Sequence, residues 1–376
     1  MDFVVSRSTL LEHLQLVSKV VGSKNSLPIL DNLLFNVTGE ILKVTASDLE
    51  STLTTEIKLD SCNNDGIIAV DTKKILEILK ELPEQPLTFN IDLEDLKINL
   101  VSSTGKYTLV GQNGDDFPQI PVIKADKVTR VDISPDILFS GISSTIFATG
   151  DDELRPVMNG IFIELQAKGA NFVATDAHKL VRYTNRDVTV EEDASFILPK
   201  KPATILKSVL PKAFSDVSLE IDDKNAFFSF ENFSLICRLV EGVYPNYSTV
   251  IPKDNPNKLV VDRVDLYNAL KRVAIFANQA SNLVGLAISG NQITLNAQDI
   301  DYAIAGNEVI NAQYDGDEME IGFKSNFLVE ILNNLSTPEV VFELSDPTRA
   351  GIILPKDGEN SSEDVLMLLM PMMINN

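Results

Sequence analysis

Pro28-Ile29-Leu30-Asp31-Asn32 returns 128 residues later as Pro156-Val157-Met158-Asn159-Gly160. The same interval of 128 separates Leu10, Leu138 and Leu266, each of which opens an apolar run at helical spacing. A shorter signature appears three times, as Ala46-Ser47-Asp48, Ala174-Thr175-Asp176 and Ala297-Gln298-Asp299, and the aromatic-Pro turn Phe117-Pro118 comes back as Tyr244-Pro245. Repeats of about 20–50 residues would build a solenoid or propeller; a period this long means whole domains of one design in tandem. The boundaries fall at 1–126, 127–253 and 254–376. Tandem domains of this kind build surfaces, rings and arches more readily than a single catalytic pocket.

The elements within each repeat follow from periodicity. A short strand (3–5, 131–133, 259–261) leads into a helix, written first as Leu10, Leu14, Val17 and Val21, then as Ile137, Leu138, Ile142 and Ile146, then as Leu266, Leu270, Val273 and Ala277. Halfway through comes a second helix around Ile75 and Leu79, Ile205 and Leu206, and Leu328 and Leu332. Alternating stretches such as Leu42-Lys43-Val44-Thr45-Ala46 fill the rest and read as strands. Each domain is thus about two βαβββ units. The fold class is α+β, with helices on one face of antiparallel sheets.

Length and 44% apolar content are enough for several cores. No apolar run reaches the roughly 18 residues of a membrane span. The opening Met1-Asp2-Phe3-Val4-Val5-Ser6-Arg7 lacks a basic, small-residue leader pattern, and Cys62 and Cys237 fall in different repeats, so a cytoplasmic protein without membrane contact is expected.

The net charge of −22 argues, taken whole, against a nucleic-acid binder. Its distribution argues otherwise. The six helical windows (6–22, 71–82, 134–150, 199–213, 262–278, 324–335) carry 13 basic and 8 acidic side chains, whereas the remainder carries 19 basic and 46 acidic. Two readings stay open on charge alone. Lys and Arg are good helix formers that collect on solvated faces, or else the helices present a basic face to a polyanion on an otherwise repelling body.

Along its whole length the chain resembles the bacterial sliding clamp family, the beta subunit of DNA polymerase III. The segments that carry the likeness are Leu27-Pro28-Ile29-Leu30-Asp31-Asn32-Leu33, Ala174-Thr175-Asp176-Ala177-His178-Lys179-Leu180 and Glu241-Gly242-Val243-Tyr244-Pro245-Asn246-Tyr247, followed by Met319-Glu320-Ile321-Gly322-Phe323 and Met370-Pro371-Met372. The resemblance implies the DNA clamp fold and a homodimer joined head to tail, closing a pseudo-sixfold ring with helices lining the hole. It implies a processivity factor that encircles duplex DNA without reading sequence and slides on it. Through short hydrophobic peptide motifs such a clamp tethers the replicative DNA polymerase, the clamp loader and repair proteins.

Residue by residue, the resemblance puts Lys24, Lys73, Lys74, Lys200, Lys201, Lys207, Lys271 and Arg272 toward the DNA, with Lys24, Lys73 and Lys201 ranked first. The partner-peptide pocket would draw on Arg155, Met158, Thr175, His178 and Leu180, and on Pro245, Val250, Met370, Pro371 and Met372. Methionine suits a groove that must repack around varied ligands. Three departures make this pocket less basic than the family pattern: Ala177 and Lys179 flank the histidine in place of Gly and Arg, Thr249 stands where an Arg is common, and Met373 where a basic residue is usual. The dimer interface would set Lys106, Tyr107 and Leu109, on an edge strand, against Ile275, Phe276 and the strand of Asp299 and Asp301.

Catalytic chemistry finds no footing in the sequence. Phosphate-loop, dinucleotide-fingerprint, serine-elbow and zinc-protease patterns are all missing, and His13 and His178 are the only histidines, so no catalytic residue, metal or cofactor is expected. The rival reading from another class is a non-enzymatic, repeat-built adhesion or carbohydrate-binding protein.

Overall fold

The computed structural model describes residues 1–22, 25–121, 128–190, 192–356 and 362–374. Its described residues contain six α-helices: α1 (Arg7–Val17), α2 (Thr72–Glu81), α3 (Pro135–Thr145), α4 (Lys200–Val209), α5 (Arg263–Val273) and α6 (Ser325–Asn333). Local chemistry starts several of them. Ser6 caps α1 by accepting from the Thr9 N–H, Asp71 caps α2 by accepting from Lys74 at 2.7 Å, and Asp262 caps α5 by accepting from Val264 and Asp265. The apolar spacing then decides which face turns inward. Leu10, Leu14 and Val17 of α1 are fully buried, as are Ile75 and Leu79 of α2, while Lys73 and Lys74 stay on the exposed face.

The chain forms two compact units, Met1–Phe139 with Lys201–Leu239, and Ser140–Lys200 with Val240–Asn376. The second repeat is therefore divided between them.

The first unit holds a five-stranded antiparallel sheet in the order Ser61–Cys62, Asp2–Ser6, Pro86–Asp92, Lys97–Val101, Lys106–Val110. Its nine-stranded sheet begins Gln112–Asn113, Gly66–Asp71, Asn32–Thr38, Ile41–Ser47, Ser51–Lys58 and continues Phe233–Arg238, Asn225–Phe230, Val217–Ile221, Thr129–Ile133. The join lies between Ser51–Lys58 of the first repeat and Phe233–Arg238 of the second, with Leu53 facing Leu235.

The second unit repeats this plan. A nine-stranded sheet runs Ala194–Pro199, Gly160–Gln166, Gly169–Thr175, Lys179–Asn185, then Glu363–Leu369, Gly351–Pro355, Glu339–Leu344, Asn257–Asp262, Gln313–Asp315. Its join pairs Val181 with Met367. The four-stranded sheet has the order Ile304–Asn311, Gln292–Asp299, Leu283–Ser289, Met319–Lys324. One core binds these layers: Leu266, Leu270 and Val273 of α5 and Leu328, Ile331 and Leu332 of α6 pack with Leu286, Leu295, Val340 and Phe342 from the two sheets. Strand alternation does the sorting, as in Glu339–Leu344, where Val340, Phe342 and Leu344 point in. Each such side chain contributes about 1.5–3 kcal/mol through burial.

Glu363–Leu369 is paired on both sides and is therefore an interior strand of its sheet. Met367 is core, and the residues expected in the pocket begin just past its end, at Met370.

Candidate partner-binding groove and the sheet joins

The turn that precedes Lys179–Asn185 is built by side chains. Asp176 Oδ1 accepts from the N–H groups of His178 and Lys179, both at 2.9 Å, and Thr175 Oγ1 accepts from Ala177 at 3.1 Å. Burial pushes the Asp176 carboxyl up, but these bonds and that from the Lys179 ammonium outweigh it, and its pKa lies below the usual value. Ala177 holds φ at 75°, in the left-handed region that costs a non-glycine residue about 1–2 kcal/mol. The turn aims His178 outward, stacked on Phe327 with ring centroids 5.9 Å apart. Lys179 goes the other way. It is buried between Asp176 at 2.8 Å and Glu330 at 3.0 Å, with its ammonium 4.3 Å above the Phe327 ring, so this cation belongs to the wall and not to the groove surface.

Just past the strand end, Met370 N–H donates to His178 O at 2.9 Å, which sets the half-exposed Met370 beside the histidine. Met372 then bridges to Gly322, where a Cβ would lie 2.6 Å from the Met372 oxygen. Behind them Leu180, Ile352, Leu366, Leu368 and Tyr244 form one apolar cluster with partly buried Val157. Tyr244 stacks on Phe162 at 4.7 Å and donates to Val173 O at 3.4 Å, while Tyr247 donates to Glu164. These anchors lay the 241–250 segment across the sheet with Pro245 and Val250 exposed. Gly242, at φ 130°, touches Val157, where a Cβ would come within 2.7 Å of Cγ1. That contact brings in the loop carrying Met158, half-buried, and Arg155, whose Nε donates to Asp152 at 2.9 Å. Of the expected pocket residues, Met372 pairs with Gly322 of the four-stranded sheet, while Leu180 lies in this apolar cluster and Arg155, Met158, Thr175, His178, Pro245, Val250 and Met370 sit on segments that contribute to it or run beside it. Leu154 and Val243, each 91% exposed beside it, were not singled out in the sequence, because single exposed apolar residues in turns leave no periodic signal.

The corresponding turn of the first repeat has the same backbone. Asp48 Oδ1 accepts from Glu50 and Ser51, Ser47 Oγ accepts from Leu49, Leu49 holds φ at 76°, and Arg238 N–H donates to Glu50 O at 2.8 Å. Lys201 of α4 binds the Asp48 carboxylate and the Val20 carbonyl. The expectation that Lys201 is spare for DNA therefore meets a cation already bound within its unit. Alongside, His13 of α1 stacks on Phe233 at 5.4 Å and its Nδ1 lies 2.6 Å from Thr55 Oγ1.

In the third repeat Asp299 plays the same part, accepting from Asp301 and Tyr302, but it is only 2% exposed and also bound by Asn278. Asp299 thus holds its own turn and offers a partner no surface; Asp301 lies in the turn beyond the strand. The exposed groups there are Ile300 and Tyr302, missed in the sequence because the turn is two residues longer than its counterparts: Ser47 faces Thr52 and Thr175 faces Leu180, but Gln298 faces Ala305. Ile275 and Phe276 are exposed nearby, and Phe276 fills the place where Gly306 lacks a side chain, 2.5 Å from an added Cβ. Lys106, Tyr107 and Leu109 lie on the open outer strand of the five-stranded sheet.

Of the remaining cations, Lys73, Lys74, Lys200 and Lys271 are exposed on helices and Lys207 is half-buried. Lys271 lies 5.3 Å from the Tyr267 ring centre. Arg272 donates twice to Glu308 on Ile304–Asn311, with its Nε at 3.0 Å, and so is engaged toward the sheet edge. Lys24 lies outside the described residues.

Family models for the N-terminal, central and C-terminal domains of the DNA polymerase III beta subunit match residues 1–121, 132–246 and 248–373. The chain belongs to this beta-subunit family. The beta sliding clamp of Pseudomonas aeruginosa is 28% identical over 373 residues, covering 99% of this chain and 100% of that protein. That of Proteus mirabilis is 30% identical over 348 residues, covering 92% and 94%. Among solved structures, the P. aeruginosa sliding clamp bound to griselimycin superposes with a TM-score of 0.92 at 27% identity, and that from Bartonella birtlesii, also bound to griselimycin, with 0.91 at 28%; each covers 100% of both chains. Nothing in these beta-subunit relatives supports an adhesion or carbohydrate-binding reading, and no described helix is long and apolar enough to cross a membrane.

Proposed function

We propose that this chain is a DNA sliding clamp in which two copies close head to tail around duplex DNA and hold replication partners by the groove at His178 and Met370. The observation that carries ring closure is a pair of unfinished half-sheets. Within the chain, the Ile41–Ser47/Ser51–Lys58 type of half-sheet twice joins the half-sheet of the following repeat, and what remains is one of each kind. One ends in the open strand Ile304–Asn311 and the other in Lys106–Val110. A second copy supplies the missing half to each.

The internal joins also supply the register. Phe3 faces Phe89, which faces Leu100, which faces Tyr107; the same path from Val131 ends at Leu235, and from Leu259 at Met367. Leu235 faces Leu53 and Met367 faces Val181, and their counterpart across from Ala297 is Gly306. Tyr107 of one copy therefore lies opposite Gly306 of the other, its ring meeting Phe276 over the missing side chain. A large aromatic set against a glycine is the complementarity that an ordered seam needs.

Encirclement needs no base readout. Lys73, Lys74, Lys207 and Lys271 provide a diffuse attraction to phosphates that weakens with salt and lets the ring slide, while the acidic remainder discourages side-on binding. The protein acts as a processivity factor without chemistry of its own and works where the chromosome is copied, in the cytoplasm. The polymerase, clamp loader and repair proteins would dock by apolar peptide anchors in the groove.

The deciding experiment pairs Thr108→Cys with Ala305→Cys in a Cys62→Ser background. Oxidation should give a covalent species of twice the 41.3 kDa chain, which stays on closed circular DNA and leaves linear DNA. A strict monomer by light scattering, with no cross-link, would refute the ring. Calorimetry with griselimycin tests the groove: binding lost in Met370→Arg supports it, and undiminished binding sends the ligand elsewhere.

A further inference from the structure

Each repeat closes with a segment that crosses the half-sheet of that same repeat from one anchor point. Gln112 pairs with Ala69, Val240 N–H donates to Ile197 O at 3.1 Å, and Met372 bridges to Gly322. The anchors begin matching rows of facing residues: Ala69, Leu34 and Thr45 in the first repeat, Ile197, Phe162 and Val173 in the second, Gly322, Gly285 and Asn296 in the third. From there two of the segments run to an aromatic-Pro pair whose ring packs with the middle residue of the row. Phe117 is buried in one cluster with Leu34, and Tyr244 stacks on Phe162 at 4.7 Å and donates to Val173 O at 3.4 Å.

The third repeat departs from this plan. Its middle residue is Gly285, and four residues past the anchor, where the second repeat has Tyr244, the sequence has Asn376. Ile374 lies over the glycine, its Cδ1 3.3 Å from where a Cβ would stand, and takes up space that the Phe162 side chain fills in the second repeat. Beside it a cavity of about 650 Å³ stays unfilled, well within the range of ligand sites. Gly285 and Asn296 turn away from α5 and α6, since their neighbours Leu286 and Leu295 point into the helix core. Leu283, Met372 and Ile374 give the cavity apolar walls, and methionine adapts to what it meets. Asn296, Gln298 and Asn307 add side-chain amides that bond to nothing else among the described residues. An amide both donates and accepts, as the backbone of an entering peptide requires.

We infer that this face of the third repeat docks a Tyr-Pro segment of a partner protein, the pair that the second repeat seats within its own chain. The ring lies over Ile374 and Gly285 as Tyr244 lies over Phe162, and its hydroxyl donates to the Asn296 carbonyl as that of Tyr244 does to Val173. Proline holds the tyrosine before it extended, so that the segment crosses the row and meets the free amides. Pairing of Ile304–Asn311 with a second copy would use the backbone of that strand and leave this face open. The inference stands apart from the groove at His178. A partner anchored at both surfaces would be held far more tightly than at either one.

The test uses the full protein with labelled Leu, Ile and Met methyl groups and two probes. N-acetyl-Gly-Val-Tyr-Pro-Asn-amide copies residues 242–246 and should shift the Leu283, Met372 and Ile374 methyl signals, with a Kd near the millimolar range expected of so small a ligand. N-acetyl-Gly-Val-Ala-Pro-Asn-amide, which lacks the ring, should bind about tenfold more weakly or worse. Gln298→Trp and Glu320→Trp, both at exposed positions in the lining, put a ring of the protein's own into the cavity, and each should weaken the tyrosine probe about tenfold. Equal response to the two probes, binding undiminished in both variants, or shifts confined to Leu180 and Leu368 behind the other groove would overturn the site. Failure of the His178 groove shows separately, as griselimycin binding that ignores Met370→Arg.

Discussion

The join in the first unit and the join in the second are one backbone solved with two sets of side chains. In the second, Leu180 faces Leu368 and both are buried, Tyr183 donates from the core to Glu363 at 2.7 Å, and the turn ends in His178 beside Met370. In the first, Thr52 faces a half-buried Ile236, Thr55 meets His13, and the turn ends in Glu50 beside Arg238. Hydrogen bonds in the ladder and the aspartate-held turn set where the strands go. Side chains beyond the strand ends set what the surface can hold. A repeat can therefore be copied three times for architecture while the turns of its copies end in different side chains, and in the third repeat the strand Ile304–Asn311 is left open.

If the second join is the more apolar, trimming it should cost more. Leu368→Ala leaves a cavity in a buried cluster and should destabilise by about 2–5 kcal/mol, whereas Ile236→Ala, at the matching place, should cost less than half as much. Hydrogen exchange of the strand Glu363–Leu369 against that of Phe233–Arg238 reads both effects locally. Equal losses would erase the difference between the joins. The next effect in size comes from the buried phenol. Tyr183→Phe removes a bond to a charged acceptor, worth about 1.5–3 kcal/mol. Thermal unfolding of Tyr183→Phe should drop accordingly, and an unchanged midpoint would mean that this bond holds nothing together.

Acid should separate the joins as well. Burial pushes the His13 ring below its ordinary pKa, with the Lys212 ammonium adding to this and Glu12 opposing it. The folded state thus favours the neutral ring, and the unfolded chain takes the proton first. The stability this contributes is full above the unfolded value of about 6.5 and is lost as pH falls through the lower, folded value. Unfolding midpoints of the wild type should therefore fall over that window, and the fall should be smaller in His13→Gln. The second join has Gly141 at the repeat-equivalent place, packed on Phe172, and Phe233–Arg238 should lose exchange protection in that window while Glu363–Leu369 does not.

Much of this architecture is visible in the sequence for a simple reason. Repetition at 128 residues and the apolar spacing from Leu10, Leu138 and Leu266 are long, averaged signals that survive local noise. The helices and most strands follow from them. What the repeat does not reveal is that its second copy is divided between two units, because strand pairing between Ser51–Lys58 and Phe233–Arg238 is set by edges and not by composition. The groove proposed at His178 and Met370 draws on the family likeness. The bound state of Lys201, the buried role of Asp299 and the turn of Arg272 toward Glu308 were not legible, since a charge in a sequence carries no mark of its partner.

The smallest effect is the sharpest test of a shared backbone. Leu49 and Ala177 both sit at positive φ, 76° and 75°, where a side chain costs about 1–2 kcal/mol and where the family pattern at the second position has glycine. Glycine would relieve that strain but brings a looser unfolded chain, a loss of about 0.5–1 kcal/mol, so Ala177→Gly should stabilise by a few tenths to about 1 kcal/mol. Leu49→Gly should gain from the same relief, reduced by the half of its surface that is now buried. If the two turns are one structure, both variants raise the unfolding midpoint, and Ala177→Gly does so by more. Should Ala177→Gly lower it instead, the strain at this turn is being met by contacts of the methyl group, and the equivalence of the two joins would end at the aspartate that starts each turn.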